Sequence, residues 1–290
     1  GRAGHYYHYM LGYLMPVVLC PDRTAGHTSL VSVGLLDRIT REVLGNDVDI
    51  VPEPMLTQVR YPELRNRLSK IFGTSGVRRS LPGPIVKWAM RRALRKHNHD
   101  RLEVLSSFDN PLRYQRDQIS RFRDFVEARL ADSIETSSLS QTDVDVLLIE
   151  RGHPNQHYAD VGRTSGSQRR SVPNLGCLRD LLKTGHRTEL LDFEDTDLAS
   201  QIAVFRNAWA VVAQHGAALT NIIWMRHGSL VIEIIPPRKV PESADKEYFG
   251  RLAAEMAVRH HYVFQEHDHA ELTQSQMRQI EALLARENCQ

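Results

Sequence analysis

The sequence predicts an α/β protein organised as two lobes. Three observations carry this. Short apolar runs alternate with amphipathic stretches across residues 144–235, at a pace that leaves room for one helix between successive strands. Strands spaced this way are parallel, since parallel neighbours need a crossover and the helices supply it. The first 138 residues differ in character: they are basic, broken by Pro and Gly, and only modestly periodic. The Ser-, Thr- and Asp-rich stretch Ala131–Asp143 reads as the linker, dividing an N-terminal lobe at 1–138 from a C-terminal lobe at 139–290.

Taken in order, Leu30–Val33 and Val48–Val51 read as strands. Pro84–His97 has helical spacing, with Ile85, Trp88, Ala89 and Leu94 on one broad face and Arg91, Arg92, Arg95 and Lys96 on the other. Asp117–Leu130 is a second amphipathic helix, striped by Ile119, Phe122, Phe125, Val126 and Leu130. Val144–Ile149 opens the second lobe as a buried strand. Asn174–Leu182 follows as a helix with Asn174 at its N-cap. Glu189–Phe193 is a strand, Asp197–Asn207 a helix, Ala210–Ala213 a strand, Ala217–Met225 a helix and Leu230–Ile235 a strand. Glu271–Glu287 closes the chain as an amphipathic helix, either within its own lobe or packed back on the first.

Composition excludes several classes. Of 290 residues, 41% are hydrophobic and 25% charged, an ordinary globular balance rather than a disordered or fibrous one. Lys and Arg number 37 against 35 Asp and Glu, too even for a nucleic-acid coat. The three cysteines, Cys20, Cys177 and Cys289, are too few and scattered for a disulfide framework or zinc cluster. No apolar run reaches the length of a membrane span; Met10–Leu19 is short and interrupted by Pro16. The chain starts at Gly1, which reads as trimming and leaves any upstream signal open, while the lack of an Asn-X-Ser/Thr acceptor leans away from a glycosylating lumen.

The segment Ala210–Asn221 is the most informative for chemistry. A strand ends near Ala213, a tight turn holds His215 and Gly216, and a helix starts at Ala217. Gly216 would let a ligand approach the backbone, and the helix start would offer unpaired N–H groups to a phosphate. The turn falls at the carboxyl end of a strand, where open α/β sheets bind ligands. An ordinary strand–helix turn remains the alternative. Glu233 interrupts an apolar strand, so it either grips a ligand hydroxyl or pairs with a nearby Arg. Arg151 leaves the first strand of this lobe, and Arg163, Arg169 and Arg170 follow; guanidinium groups clamp a diphosphate or stand solvated. His5 and His8 share a face if helical and could act as a base, bind a metal or sit in a core. The pairs His97/His99 and His267/His269 and the basic helix read as surface.

The run Gln201–Asn221, ending in Gln-His-Gly-Ala-Ala-Leu-Thr-Asn, together with Gly228–Pro236, resembles the C-terminal signature of glycosyltransferase family 61. Arg169-Arg-Ser-Val-Pro-Asn174 is similar to that family's Arg-rich segment, and Tyr7–Pro16 to its N-terminal segment. The clear likeness covers about residues 144–237. It implies a GT-B arrangement, two Rossmann-like lobes facing across a cleft. It implies an inverting transfer from a UDP-sugar to a glycan or glycoprotein hydroxyl, with no cofactor, no required metal and no nucleic-acid partner. UDP-xylose is the first expectation for the donor and UDP-N-acetylglucosamine the second. Arg151, Arg169, Arg170, His215, Gly216 and Ala217 would hold the diphosphate, and Asn221 and Glu233 the diphosphate or ribose side. Asp143-Val-Asp145 has the letters of a metal motif but precedes its strand. Gly12 stands where the family often has Asp, so the base role passes to His8 or His5, with Asp22 and Asp109 as further candidates. The same departure motivates a second reading, a non-catalytic glycan- or nucleotide-binding module. The compartment follows the source: cytoplasmic for a bacterial or viral enzyme, the Golgi or endoplasmic reticulum lumen for a trimmed eukaryotic one.

Overall fold

The computed structural model of the chain describes residues 6–19, 28–31, 36–45, 48–51, 115–152, 166–193, 196–240 and 247–288. The predicted helix at Pro84–His97 lies outside these. The N-terminal segment runs helically through Tyr6–Tyr9, a π-helical turn at Met10–Leu14 and Met15–Leu19. Pro16 explains the widened turn: it has no N–H to give the carbonyl four residues back, and the helix absorbs the mismatch just before it. Strand β1 (Thr28–Val31), the helix Asp37–Leu44 and strand β2 (Val48–Val51) form a small parallel βαβ unit. Gly45 ends that helix at φ 70°, a left-handed cap that favours glycine.

The second sheet is parallel throughout. Its strands are β3 (Val146–Ile149), β4 (Thr188–Leu191), β5 (Ala210–Gln214), β6 (Leu230–Ile235) and β7 (Arg259–Phe264), in the order β4-β3-β5-β6-β7. β3, β5 and β6 are buried from end to end, which is why they read as apolar runs, broken only by Gln214 at the end of β5 and Glu233 within β6. Alternate residues serve two cores. Leu147, Ile149, Val211, Ala213 and Val231 join a larger cluster with Tyr9, Leu14, Val43 and Phe122. Val146, Leu148, Val212, Ile232 and Ile234 face the opposite core with Leu178, Ile280 and Leu284. The N-terminal residues thus share a core with one face of the main sheet.

Polar ties fix that junction. Tyr6 Oη donates to Asn221 Oδ1 at 2.8 Å, and Trp224 Nε1 donates to the same oxygen at 3.1 Å. Asn221 Nδ2 donates to Gln201 Oε1 at 2.8 Å. Tyr9 Oη and Thr40 Oγ1 lie 2.8 Å apart, a link from the first segment to the βαβ helix. Burial raises the Tyr9 phenol, keeping it protonated. From the helix Arg116–Arg129, Arg123 donates to the Met225 carbonyl at 3.1 Å.

Several expectations need adjusting. The linker stretch holds a short helix, Ala131–Thr136, pinned by buried Ile134. Asn174 precedes its helix without capping it; its amide clasps the backbone of Leu272 instead, donating at 2.9 Å and accepting at 2.8 Å. The Ala217 helix is 3-10, running Ala217–Trp224. The terminal helix Gln274–Asn288 packs on the main sheet beside β7. A reciprocal box caps it: Gln276 N–H donates to Thr273 Oγ1 at 3.2 Å and Thr273 N–H to Gln276 Oε1 at 2.7 Å. Asp197 caps Leu198–Asn207 by accepting from Ser200 N–H at 2.7 Å. The helix Tyr248–Glu255 and strand β7 are additions to the predicted list.

Replacing Asn221 by Ala would strand three partners at once, the buried Gln201 and Trp224 and the half-buried Tyr6. Asn221→Ala is expected to lower unfolding free energy by about 2–4 kcal/mol, read from the urea midpoint.

Candidate active site

All five strands of the main sheet end at one edge, and the chain order makes a particular gap there. β4 lies to one side of β3 and β5 to the other, so the loops after β3 and β5 diverge. Crevices of this kind, at the carboxyl ends of parallel strands, take ligands in doubly wound sheets. Arg151 follows β3 and His215 follows β5, and both project from this edge.

Arg151 Nη1 donates to the His215 carbonyl at 3.2 Å. Its guanidinium occupies the space that a side chain at position 216 would need. Gly216 therefore has a reason other than ligand approach or special backbone geometry: with φ 178° it is simply extended, and its missing Cβ seats Arg151. Beyond it, the N–H groups of Ala217 and Ala218 precede the first backbone bond of the helix, from Leu219 N–H to the Gly216 carbonyl at 3.1 Å.

Where Arg151 is half-buried, Arg170, the second cation of the site, is buried, 5% exposed. Its Nε and Nη1 are buried and have no hydrogen-bond partner among the described residues. Burial lowers its guanidinium to about 10, with repulsion from Arg151 and Arg169 adding to the effect and Asp268 and Glu233 opposing it. Arg151 is likewise lowered to about 10, by burial and then by Arg169. Both stay charged at neutral pH. Arg169 ends the short helix Gly166–Arg169 and is exposed. The backbone next to Arg170 is held firmly: Ser171 N–H donates to the Asp268 carbonyl at 2.9 Å, and the Ser171 carbonyl accepts from Gln214 Nε2 at 3.0 Å and Gln265 Nε2 at 2.9 Å.

His215 and Glu233 form the other half of the site. Glu233 is 1% exposed and lies in β6 opposite Ala213 of β5 and Tyr262 of β7. Its Oε1 is 2.5 Å from His215 Nδ1 and its Oε2 is 2.9 Å from His260 Nε2. Burial works to raise this carboxyl, but the two imidazoles outweigh it and the net shift is downward, so Glu233 is ionised. The sequence left a choice between a ligand hydroxyl and an arginine partner; the partners found are two histidines. For His215, burial is the largest influence and lowers the imidazole; Glu233 opposes it, and Arg170 and Lys239 reinforce it. The ring also stands edge-on to Phe249, with centroids 5.3 Å apart.

Of the residues singled out from sequence, Arg151, Arg170, His215, Gly216, Ala217 and Glu233 gather at this edge, with Arg169 on its rim. Asn221 does not: it is 1% exposed and its amide is engaged by Tyr6, Trp224 and Gln201, so it braces the fold rather than reaching a ligand. His8 lies on the helix Tyr6–Tyr9, and its side chain is outside the described residues, as are His5, Asp22, Asp109 and Arg163. Gly12 is buried in the π-helical turn. Asp143 and Asp145 sit at the opposite end of β3, where both are bound by Arg187, at 2.6 Å for Asp145 Oδ1. Sequence reasoning missed Lys239 and His260. Lys239 could have been found as the cation just past β6; His260 was hidden because β7 carries no continuous apolar run.

The glycosyltransferase 61 family model matches residues 6–232. The chain belongs to glycosyltransferase family 61. No curated protein matches it. The match reaches from the Tyr6 segment into β6, so this family 61 member carries both the N-terminal helix and the His215 turn within one family unit. A transferase of this family handles a sugar donor and a glycan acceptor. No helix among the described residues is long and apolar enough to cross a membrane.

Two outcomes follow from the geometry. Gly216→Ala would push the Arg151 guanidinium aside, a cheap displacement for the end of a flexible side chain. The variant is expected to melt within a few degrees of wild type yet bind pyrophosphate about tenfold more weakly, measured by calorimetry. His215 binds its proton less readily folded than unfolded, so protonation favours the unfolded chain. Stability should therefore fall as pH drops below about 6.5, the unfolded imidazole value, with a further loss at lower pH as Glu233 is protonated. Urea midpoints between pH 7.5 and 5.5 check this, and His215→Gln should flatten the upper part of the decline.

Proposed function

We propose that this family 61 member transfers a sugar from a UDP-sugar to a hydroxyl of a glycan or glycoprotein acceptor, with inversion at the anomeric carbon. UDP-xylose is the first donor in this proposal and UDP-N-acetylglucosamine the second. The observation that carries it is Arg170: a buried guanidinium with two unmatched donors, beside the half-buried Arg151, at the carboxyl edge of a parallel sheet. Holding like charges together away from water is costly, and a diphosphate would meet the two unmatched donors of Arg170.

In the transfer, the acceptor oxygen attacks the anomeric carbon as the bond to the diphosphate oxygen breaks. The electron pair leaves on the diphosphate, and the acceptor proton passes to a base. Arg151, Arg170 and the first N–H groups of the 3-10 helix are set before reaction, with the charge of Lys239 acting nearby, so they stabilise the charge that develops on the leaving group. These cations take the part a divalent ion plays elsewhere, and activity is expected to survive EDTA. His8, or else His5, is the proposed base on the acceptor side. The parallel βαβ unit at β1 and β2 supports the idea of a second Rossmann-like lobe, and hence of a GT-B arrangement.

The second reading, a binding module without turnover, draws on Gly12: where the family pattern often has Asp, this chain has a buried glycine with no side chain to serve as base. Release of UDP from a panel of UDP-sugars, with simple glycosides as acceptors, separates the two. Turnover with one donor and loss of at least about a hundredfold in Arg170→Met supports the transferase. Nucleotide binding with no UDP release from any donor supports the module, and no nucleotide binding at all defeats the transferase and restricts the module to glycans.

A further inference from the structure

The donor-site reading above leaves open how His215 helps a phosphate, and the hydrogen bonds around it constrain the answer. A carboxylate only accepts, so ionised Glu233 requires N–H at both ring nitrogens that face it: Nδ1 of His215 and Nε2 of His260. In the neutral state His215 then carries its single proton on Nδ1, and Nε2 is left with a lone pair. A lone pair cannot donate to a phosphate oxygen. His215 can hold a diphosphate only as an imidazolium.

The charges that face His215 from each neighbouring element set when that happens. Glu233 of β6 favours the proton; Arg170, from the loop after Gly166–Arg169, and Lys239, just past β6, oppose it. Arg151, after β3, bonds the His215 carbonyl. The helix Tyr248–Glu255 presents Phe249 to the ring, and Glu247 at its start accepts from Tyr262 at 3.2 Å. From β7, His260 and Tyr262 reach Glu233 rather than His215. Asp268 acts on Arg170. A diphosphate entering beside Arg170 and Lys239 neutralises the cations that repel the proton and adds an acceptor for it.

We propose that docking of the donor diphosphate is coupled to uptake of one proton from solvent at His215 Nε2, and that Glu233, braced by His260, is the positioning residue for this step. The imidazolium then faces the leaving diphosphate as its negative charge grows. No covalent bond changes; the proton comes from water on binding and is returned when the diphosphate leaves. The inference rests on the donor-site reading and adds the protonation that accompanies it.

Calorimetric titration of the intact chain with UDP-xylose and with UDP-N-acetylglucosamine tests it. Both phosphates of these donors are diesterified and do not titrate near neutrality. Titrations at pH 7.5 in two buffers of different ionisation enthalpy count the protons exchanged. The expected result is net uptake, with Kd tightening by up to about tenfold per pH unit between pH 8 and 6.5, the limit for one linked proton. Glu233→Gln should lose the uptake and flatten the pH profile. His260→Gln, whose amide can still donate to Glu233, should keep both. Binding without proton uptake in the wild-type chain would overturn this inference and leave the donor site standing. Absence of binding by either donor at every pH would overturn both. The wild-type measurement decides the matter even if a variant fails to fold.

Discussion

Cations drawn close together and away from water at one sheet edge are the constraint on which the rest of this molecule turns. Arg151 and Arg170 lie at the carboxyl edge of the main sheet, each lowered by burial and each felt by its basic neighbours. A folded chain holds such groups only if the surrounding structure keeps them in place. Here the retaining parts are visible: a carbonyl for Arg151, a glycine that yields space to it, and a backbone after Arg170 laced to Gln214, Gln265 and Asp268. Stability given up at this edge is recovered in two apolar cores that sandwich the sheet.

Glu233 balances that arrangement. It is a buried anion within an apolar strand, held by two imidazoles and felt by Arg170. Without it, His215 would have no fixed tautomer and the cationic edge no internal counterweight. The carboxylate stands to His215 as a rudder does to a boat: it sets orientation and leaves the contact with the ligand to the ring.

Much of this was legible in the letters. β5 and β6 are apolar runs because both faces are buried, and the turn between β5 and the next helix could be read from His215 and Gly216. The arginines after β3 were legible as a group, and Arg151 and Arg170 do meet at the sheet's carboxyl edge. What stayed hidden has physical causes. Nothing in a sequence tells whether the amide of Asn221 faces a ligand or, as here, a tyrosine and a tryptophan from inside the fold. Gly216 looked like an opening for a ligand because glycine marks missing volume without saying which atoms fill it. β7 went unseen because an edge strand that turns His260 and Tyr262 toward a buried carboxylate breaks the apolar pattern by which strands are recognised. The Ala217 segment kept its place but tightened to 3-10, a difference that periodicity over eight residues does not resolve.

The family match ends at residue 232, one position before Glu233. His260, Gln265 and Asp268 all lie further on, in a stretch secured by the Asn174–Leu272 clasp. The matched stretch thus stops just short of the carboxylate that orients His215. A lineage could preserve every letter of the Gln214–Asn221 run and still shift the acidity range over which it works, by exchanging that one carboxylate on the neighbouring strand.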